Sequence, residues 1–231
     1  MKKMIVSDYD GTFYRNEEEL KENIRLIEDY RNKGNLFVIA TGRAYTSFMV
    51  EYEKNNIPFD YLILSGGMLL DKDLNILYYE SIEKDVIDHL NSDIKRYEKY
   101  ITQCKYVGLK TSSEESIYPL TKIAMRFNDV LKGYEFSTHV LNLYKSINCY
   151  VLALPHATLV EIISNKTNKG IALKVLEKIS GINPKNIYTI GDSSNDLEMI
   201  QMYDGYMVDT AQTDLKQQGF KIATIKELTL K

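Results

Sequence analysis

Residues 4–12 read M-I-V-S-D-Y-D-G-T and place an apolar run of strand length directly before two aspartates and a glycine. A run without polar alternation is typical of a parallel strand that is buried on both faces. Asp8 and Asp10 are separated by one residue, so in extended backbone both side chains project to the same side. Gly11 then permits a sharp turn. The stretch predicts a buried strand that ends at two converging carboxylates.

Strand-like and helix-like segments alternate on both sides of a central region of the chain. Asn16, with Glu19 three residues later, is a candidate N-cap for the first helix. Further apolar runs of strand length lie at 36–40, 61–64, 187–190 and 205–208, and helical patterns lie at 44–54, 170–179 and 197–202. This alternation predicts an α/β fold with a doubly wound, Rossmann-like parallel sheet, whose ligands bind at the carboxyl ends of the strands.

The central region has a different pattern, because its strands alternate more and its helices carry more charge. It is preceded by a hairpin pattern at 68–70 and 76–79, and its own predicted elements are strands at 103–109, 123–127, 148–153 and 159–163 and a helix at 129–144. No Gly/Ser-rich linker separates it from the rest. We therefore expect a core of residues 1–80 plus 166–231, with an inserted α+β cap domain at 81–165.

The composition excludes several classes of function. With 231 residues, 44% of them hydrophobic and 26% charged, the chain is in the soluble globular range. The formal net charge of −3 and the absence of a long basic run argue against a nucleic-acid partner. No apolar run approaches the roughly 18 residues of a membrane span, and no secretory leader pattern opens the sequence. We expect a cytoplasmic protein, either a monomer or a homodimer, with no membrane partner.

Polar groups follow several predicted strands at the edge where a ligand is expected. Asp8 follows the first strand, Thr41-Gly42-Arg43 follows the second, and Asp192 follows the strand at 187–190. Asp192 and Asp196 bracket a short polar segment, for which helix capping is the alternative explanation. Together with Asp10 these residues give four carboxylates, which raise one another's pKa values unless a cation compensates. A set of oxygen ligands without a His or Cys cluster favours Mg²⁺.

The same edge offers groups that bind phosphate. Backbone N–H groups near Gly11 and Gly42, and the start of the helix after Asp192, can supply dipoles to an anion. A site of four carboxylates, one lysine and one divalent cation still carries a net negative charge, so it needs such dipoles in order to accept phosphate.

Four motifs, taken together, carry a resemblance to a known family. They are D-Y-D-G-T at 8–12, A-T-G-R at 40–43, N-K-G at 168–170 and G-D-S-S-N-D at 191–196. With these motifs and the long insertion after the third strand, the chain resembles haloacid dehalogenase (HAD) superfamily phosphatases of the Cof-type subfamily IIB, which carry a C2 cap. It departs from that pattern at Ser65-Gly66-Gly67, where the family commonly has Asn-Gly-Ala.

The resemblance implies a role for each candidate residue. Asp8 is the implied nucleophile, Asp10 the implied acid and base, and Thr41 and Lys169 the implied phosphoryl-binding residues. Lys166 lies three residues from Lys169 and is the other candidate. The implied Mg²⁺ set comprises Asp8, Asp10 through its carbonyl group, Asp192 and Asp196. Gly11, Gly42, Arg43 and Asn195 are expected near the phosphate, although Arg43 could instead pair with a surface acid.

The resemblance also implies the reaction. We expect a Mg²⁺-dependent phosphomonoesterase that acts on small phosphorylated metabolites, sugar phosphates above all, through an aspartyl-phosphate. A phosphomutase of the same superfamily and a phospho-acceptor signalling module are the alternatives.

Overall fold

The computed structural model of the chain describes residues 2–154 and 156–231. Within these residues the chain forms two compact units. The first contains residues 2–43, 47–79 and 168–231, and the second contains residues 44–46 and 80–167. The second unit is therefore an insertion into the first.

The strands are β1 (Met4–Ser7), β2 (Leu36–Ala40), β3 (Tyr61–Leu64), β4 (Met68–Asp71), β5 (Ile76–Tyr78), β6 (Ile101–Val107), β7 (Ser112–Ser113), β8 (Lys122–Phe127), β9 (Ile147–Leu154), β10 (Ala157–Ser164), β11 (Ile187–Gly191), β12 (Asp204–Met207) and β13 (Lys221–Ile222). The helices are α1 (Glu17–Asn32), α2 (Tyr45–Asn55), α3 (Lys84–Arg96), α4 (Val130–Leu143), α5 (Lys169–Ser180), α6 (Leu197–Met202), α7 (Thr213–Lys216) and α8 (Ile225–Thr229).

The sheet of the first unit has the strand order β13-β12-β11-β1-β2-β3-β4-β5 in the described residues. From β13 to β3 the neighbouring strands are parallel, and β4 and β5 add an antiparallel hairpin at one edge. Met4 pairs with Leu36 on one side and with Ile187 on the other, so β1 lies inside the sheet. The predicted doubly wound parallel core is confirmed, and β1 is buried along its whole length.

Local signals in the sequence explain where the helices of the first unit begin and end. The side chain of Asn16 accepts a hydrogen bond from the backbone N–H of Glu19, which confirms the predicted N-cap of α1. Gly34 has a φ of +85°, the left-handed conformation that terminates a helix. Asn168 caps α5 in the same way as Asn16, by accepting from Ile171 N at 2.8 Å.

The second unit contains an antiparallel sheet with the order β7-β6-β8-β10-β9. Its core joins residues of α3, α4 and the sheet, among them Leu90, Phe136, Ile123 and Val160. The predicted strand at 103–109 is displaced: β6 begins two residues earlier, where Ile101 pairs with Phe127, and stops before a turn at Gly108. The unit has the expected α+β content, and its role as a cap stays a prediction.

Among the residues that the structure describes, no helix combines the length and the apolar character needed to cross a membrane.

Candidate active site

Asp8 and Lys169 form the buried centre of the site in the first unit. Asp8 follows β1, and its backbone N–H donates to Ile190 O of the neighbouring β11 at 2.9 Å. Lys169 is the first residue of α5, and its Nζ lies 2.8 Å from Asp8 Oδ1. The lysine is only 1% exposed and the aspartate 5%. The chain thus places an ammonium group directly against one oxygen of the predicted nucleophile.

Asp196 is the second buried carboxylate, and its two oxygens have different partners. Oδ1 accepts from Lys169 Nζ at 2.6 Å. Oδ2 accepts from the backbone N–H groups of Asp192 and Ser193 at 3.0 and 3.1 Å. The Asp196 side chain therefore fixes both the lysine and the loop that carries Asp192.

Asn195 completes this loop. Its Oδ1 lies 3.3 Å from Lys169 Nζ and accepts from Ser193 Oγ at 3.0 Å. The amide oxygen is thus turned toward the lysine, and Asn195 supports the cluster through that contact.

The loop at 191–196 brings its first residue very close to the Asp196 side chain, which is possible because that first residue is Gly191. A Cβ at Gly191 would collide with the side chain of Asp196. This is a close approach of backbone and side chain that only glycine permits. The G-D-S-S-N-D motif thus has a packing requirement as well as a chemical one.

Burial and like charges raise the pKa values of the carboxyl groups in this cluster. Burial is the main reason that the pKa of Asp8 is well above its ordinary value; Lys169 opposes the rise, whereas Asp196 and Asp192 add to it. Burial and the charge of Asp196 raise the pKa of Asp192 to about 6. Burial alone would lower the pKa of Lys169, but Asp196 and Asp8 outweigh it and hold that pKa above its ordinary value. The lysine stays cationic.

Three carboxylates of this cluster could hold a metal ion. Asp8, Asp192 and Asp196 each offer an oxygen, and these oxygens lie within 4.8 Å of one another. Three negative charges with one lysine leave a net charge of −2 in a largely buried place, which one divalent cation would cancel. In addition, Asp8 Oδ2 is buried without a hydrogen-bond partner among the described residues. A hard cation fits this oxygen donor set.

Gly11 lies against the side chain of Asp192. Its φ is +82°, and a Cβ at this position would collide with Asp192 Oδ2. The backbone turn after Asp10 thus needs glycine for two reasons, its conformation and the space that the carboxylate occupies. This turn brings the first and fourth motifs together.

Asp10 does not join the other carboxylates. Its side chain is 50% exposed and makes a two-point ion pair with Arg43, from Nε to Oδ2 and from Nη2 to Oδ1, both at 2.7 Å. Arg43 thus pairs with the second aspartate of the first motif, and its contact with substrate, the other sequence alternative, stays a prediction. The carboxylate of Asp10 is also outside the group of three that could hold a metal among the described residues.

Thr41 is buried after β2 and carries the start of the A-T-G-R loop. Its Oγ1 accepts from Arg43 N at 3.1 Å, so the hydroxyl proton remains available to a phosphoryl oxygen. Gly42 lies between these two residues. The Ser65-Gly66-Gly67 segment supports the loop through its backbone: Ser65 N donates to Arg43 O, and Gly66 N donates to Thr41 O. These hydrogen bonds are made by backbone atoms, so they do not depend on the side chains in which Ser65-Gly66-Gly67 differs from the family pattern.

The competing lysine has a different position. Lys166 Nζ lies 2.8 Å from Glu83 Oε1, and both side chains are about half exposed. The structure thus brings Lys169 to Asp8 and places Lys166 with a surface acid of the second unit.

A cavity of about 440 Å³ opens in the first unit beside the candidate residues. Its lining residues are Asp10, Gly11, Tyr14, Arg15, Asp192 and Thr210. The volume is in the range of small-molecule sites. A small ligand can therefore reach Asp10 and Asp192.

Sequence reasoning missed Glu51 and Tyr9, which both contact Arg43. Glu51 Oε1 accepts from Arg43 Nη1 at 3.0 Å, and the guanidinium carbon lies 5.3 Å from the centre of the Tyr9 ring. Glu51 lies eight residues after Arg43 on α2, where an acidic residue looks like part of a solvated helix face. Tyr9 lies between the two motif aspartates in the sequence, but the sequence pattern did not predict that its ring is buried.

Comparisons with known proteins identify the family of the chain. The family model described as "Sucrose-6F-phosphate phosphohydrolase" matches residues 1–226. Phosphatase YwpJ of Bacillus subtilis is 23% identical over 261 residues, covering 93% of this chain and 92% of the relative.

Solved structures are similar over nearly the whole chain. A haloacid dehalogenase-like hydrolase from B. subtilis has a TM-score of 0.78 at 19% identity, covering 99% of this chain and 97% of that one. A structure described as a HAD subclass IIB sugar phosphatase has a TM-score of 0.77 at 17% identity, covering 98% and 95%. At these identities the structural likeness concerns the fold.

Proposed function

The chain belongs to the sucrose-6F-phosphate phosphohydrolase family within the HAD-type phosphatases, and from this membership we propose that it is a Mg²⁺-dependent phosphomonoesterase of small phosphorylated metabolites. The observation that carries the proposal is the state of Asp8. One of its carboxylate oxygens is bound by Lys169, and the other is buried without a partner among the described residues. A buried acceptor of that kind calls for a ligand.

Asp8 is the proposed nucleophile. Its carboxylate oxygen attacks phosphorus, the bond from phosphorus to the leaving oxygen breaks, and an aspartyl-phosphate forms. Asp10 gives its proton to the leaving oxygen. In the second step a water oxygen attacks the same phosphorus, Asp10 takes the water proton, and the bond to Asp8 breaks to release phosphate.

Lys169 and Thr41 are the proposed ligands of the phosphoryl oxygens. Lys169 is already cationic and fixed by Asp196, so it needs no reorganisation to stabilise the charge that develops there. Thr41 can donate its hydroxyl proton, while backbone N–H groups of the Gly11 and Gly42 turns supply further dipoles.

Asp8, Asp192 and Asp196 are the side chains that would hold Mg²⁺, with Asp10 contributing through its carbonyl group. When bound, the ion would neutralise charge on the phosphoryl oxygens and between the carboxylates. The oxygens of Asp196 already have partners, so we expect Asp8 and Asp192 to bind the ion directly and Asp196 to support them.

Sugar phosphates are the proposed substrate class. The family model names a sugar-phosphate hydrolase, and one solved neighbour is described as a sugar phosphatase. The predicted cap at 81–165, which lies within the second unit, is proposed to select among them, and the predicted core is 1–80 plus 166–231. The cavity beside Asp10 is large enough for a small phosphorylated ligand.

The test is phosphate release from a panel of metabolites, including hexose 6-phosphates, sucrose 6-phosphate, pyridoxal phosphate and flavin mononucleotide. We expect Mg²⁺-dependent release that EDTA abolishes and that Asp8→Asn lacks, with an unchanged circular dichroism spectrum. Full turnover by Asp8→Asn would contradict the covalent mechanism. Dependence on a sugar bisphosphate would indicate a phosphomutase, and phosphorylation of Asp8 without turnover would indicate a signalling module.

A further inference from the structure

Asp10 is held from one side by a fork of the Arg43 guanidinium. Each Asp10 oxygen accepts one N–H, at 2.7 Å, so the plane of the carboxylate is fixed relative to the plane of the guanidinium. Asp10 is half exposed and would otherwise sample several side-chain rotamers. The orientation of Asp10 is therefore set by Arg43.

Arg43 is in turn held by Glu51. Its third engaged N–H group donates to Glu51 Oε1 at 3.0 Å. Glu51 Oε2 lies 3.3 Å from both the Tyr9 hydroxyl and Asn55 Nδ2, which act as donors. Because its two oxygens bind different partners, the Glu51 side chain is held in one orientation on α2 and in turn holds the Arg43 guanidinium.

Tyr9 contacts both Glu51, through its hydroxyl group, and Arg43, through the face of its ring. Its ring is fully buried and packs edge-on against Phe48 with centroids 5.6 Å apart. The guanidinium of Arg43 lies over the face of the same ring, a favourable place for a cation. The backbone of Arg43 is fixed as well, by Thr41 Oγ1 and by Ser65 N. The fork that holds Asp10 is thus anchored at both ends.

We propose that Arg43 and Glu51 are positioning residues for the proton transfer that Asp10 performs, with Glu51 acting through Arg43. The proposal rests on the proposed function, because it concerns how that reaction is assisted. In this proposal Arg43 orients Asp10 and does not bind the phosphoryl group. Glu51, which belongs to none of the four motifs, orients Arg43.

The proposal makes the benefit depend on the leaving group. When the bond to phosphorus breaks, the electron pair stays on the leaving oxygen. A sugar alkoxide is a strong base and needs a proton, which Asp10 carries in this step on an oxygen lone pair that Arg43 does not use, whereas p-nitrophenolate is a stable anion and leaves without one. Misplacing Asp10 should therefore slow the cleavage of an alkyl phosphate much more than that of an aryl phosphate.

The test compares Glu51→Gln with wild type on p-nitrophenyl phosphate and on the best sugar phosphate of the panel. The parameter is kcat/KM, which reports on steps up to formation of the aspartyl-phosphate. We expect kcat/KM to fall about tenfold or more for the sugar phosphate and less than about threefold for the aryl ester. The tenfold loss is a part of the full contribution of general acid catalysis, about 10²–10⁴-fold, because Asp10 is misplaced and not removed. Glu53→Gln, an exposed glutamate on the same helix, is the matched control and should change neither value.

Arg43→Lys gives a second, independent variant, because lysine keeps the charge but lacks the fork. It should show the same selective loss, and it keeps the proposal testable if Glu51→Gln unfolds. Equal losses on both substrates, or no loss on either, would overturn the proposal while leaving the proposed function intact. If wild type released phosphate from neither substrate, the proposed function itself would fail, and the positioning role with it.

Discussion

The backbone of Gly11 packs against the carboxylate of Asp192, with Asp192 Cγ 3.0 Å from the place where a Cβ would stand. Gly11 and Asp192, which are far apart in the sequence, are thus in contact. The Asp192 carboxylate occupies the space that a side chain at position 11 would need. Any residue larger than glycine at position 11 has to displace the carboxylate.

Gly11→Ala is therefore expected to damage activity beyond its cost in stability. The displaced Asp192 should lower kcat/KM by about a hundredfold, the effect of misplacing a reacting group by about 1 Å. Gly34→Ala is the matched control, since Gly34 has nearly the same φ, +85°, but no neighbour within 4 Å of an added Cβ. The left-handed backbone should cost both variants roughly 1–2 kcal/mol of stability, to which Gly11→Ala adds the displacement of Asp192, and urea unfolding measures both losses. Equal activities would contradict the prediction.

Lys169→Met is expected to remove both activity and stability. The substitution leaves Asp8 and Asp196 buried without their common cation, and breaking such a pair costs about 3–5 kcal/mol. Lys166→Met, which breaks the pair with Glu83 at the surface, should cost less than about 1 kcal/mol. Thermal unfolding and phosphate release from p-nitrophenyl phosphate check both variants. A larger loss from Lys166→Met would reverse the assignment of the lysines.

Asp192→Asn is expected to remove the response of the protein to Mg²⁺. A ligand that binds only the folded state at a hundred times its Kd stabilises it by about 2.7 kcal/mol, so wild type should melt at a higher temperature in Mg²⁺ than in EDTA. The variant lacks one of the three clustered carboxylates and should melt at the same temperature in both. Asp73→Asn, at an exposed turn between β4 and β5, should behave as wild type. A wild-type protein that does not respond would argue against a metal at this site.

Asp93 is expected to make the second unit sensitive to acid. Burial alone would raise the pKa of Asp93, but the Tyr144 hydroxyl at 2.5 Å and His139 Nε2 at 3.1 Å, assisted by Arg96, hold it below its ordinary 3.8. The folded state therefore binds fewer protons than the unfolded state. Its contribution to stability is complete above pH 3.8 and is lost as the pH falls through the lowered pKa.

The measurement is urea unfolding of wild type and Asp93→Asn at pH 7, 5 and 3, followed by circular dichroism. At pH 7 the variant should be less stable by about 1–3 kcal/mol, the cost of a broken buried hydrogen-bond set. The difference should shrink at pH 3. Asp88→Asn, exposed on the same helix, should show no such trend. A difference that stays constant with pH would show that ionisation of Asp93 is not its source.

The sequence was sufficient for the sheet apart from β13 and for the neighbourhood of the site. Uninterrupted apolar runs such as β1 can only be buried, and residues at the carboxyl ends of parallel neighbours must lie together, as Asp8 and Asp192 do. The partner of Asp10 was not predictable, because the fork from Arg43 depends on the loop geometry of two strands. Neither was β13, since Lys221 and Ile222 are exposed and have no apolar period.

One missed element did carry a signal. Thr224 and Glu227 form a capping box at the start of α8, with the threonine side chain accepting from Glu227 N and the glutamate accepting from Thr224 N. The spacing T-x-x-E was present in the sequence, but the helix it opens has only five residues and therefore little periodicity.

The pairing of Met4 with Ile187 has a consequence for biosynthesis. When the ribosome has made β1 and β2, the strand that must lie on the other side of β1 has not yet been translated. At roughly 5–20 residues per second, the nascent sheet waits many seconds with one edge of β1 unpaired, and the inserted unit is synthesised during that delay. An unpaired apolar strand invites association with other chains. We therefore expect the yield of folded protein to depend on chaperones and on translation speed between codons 80 and 187.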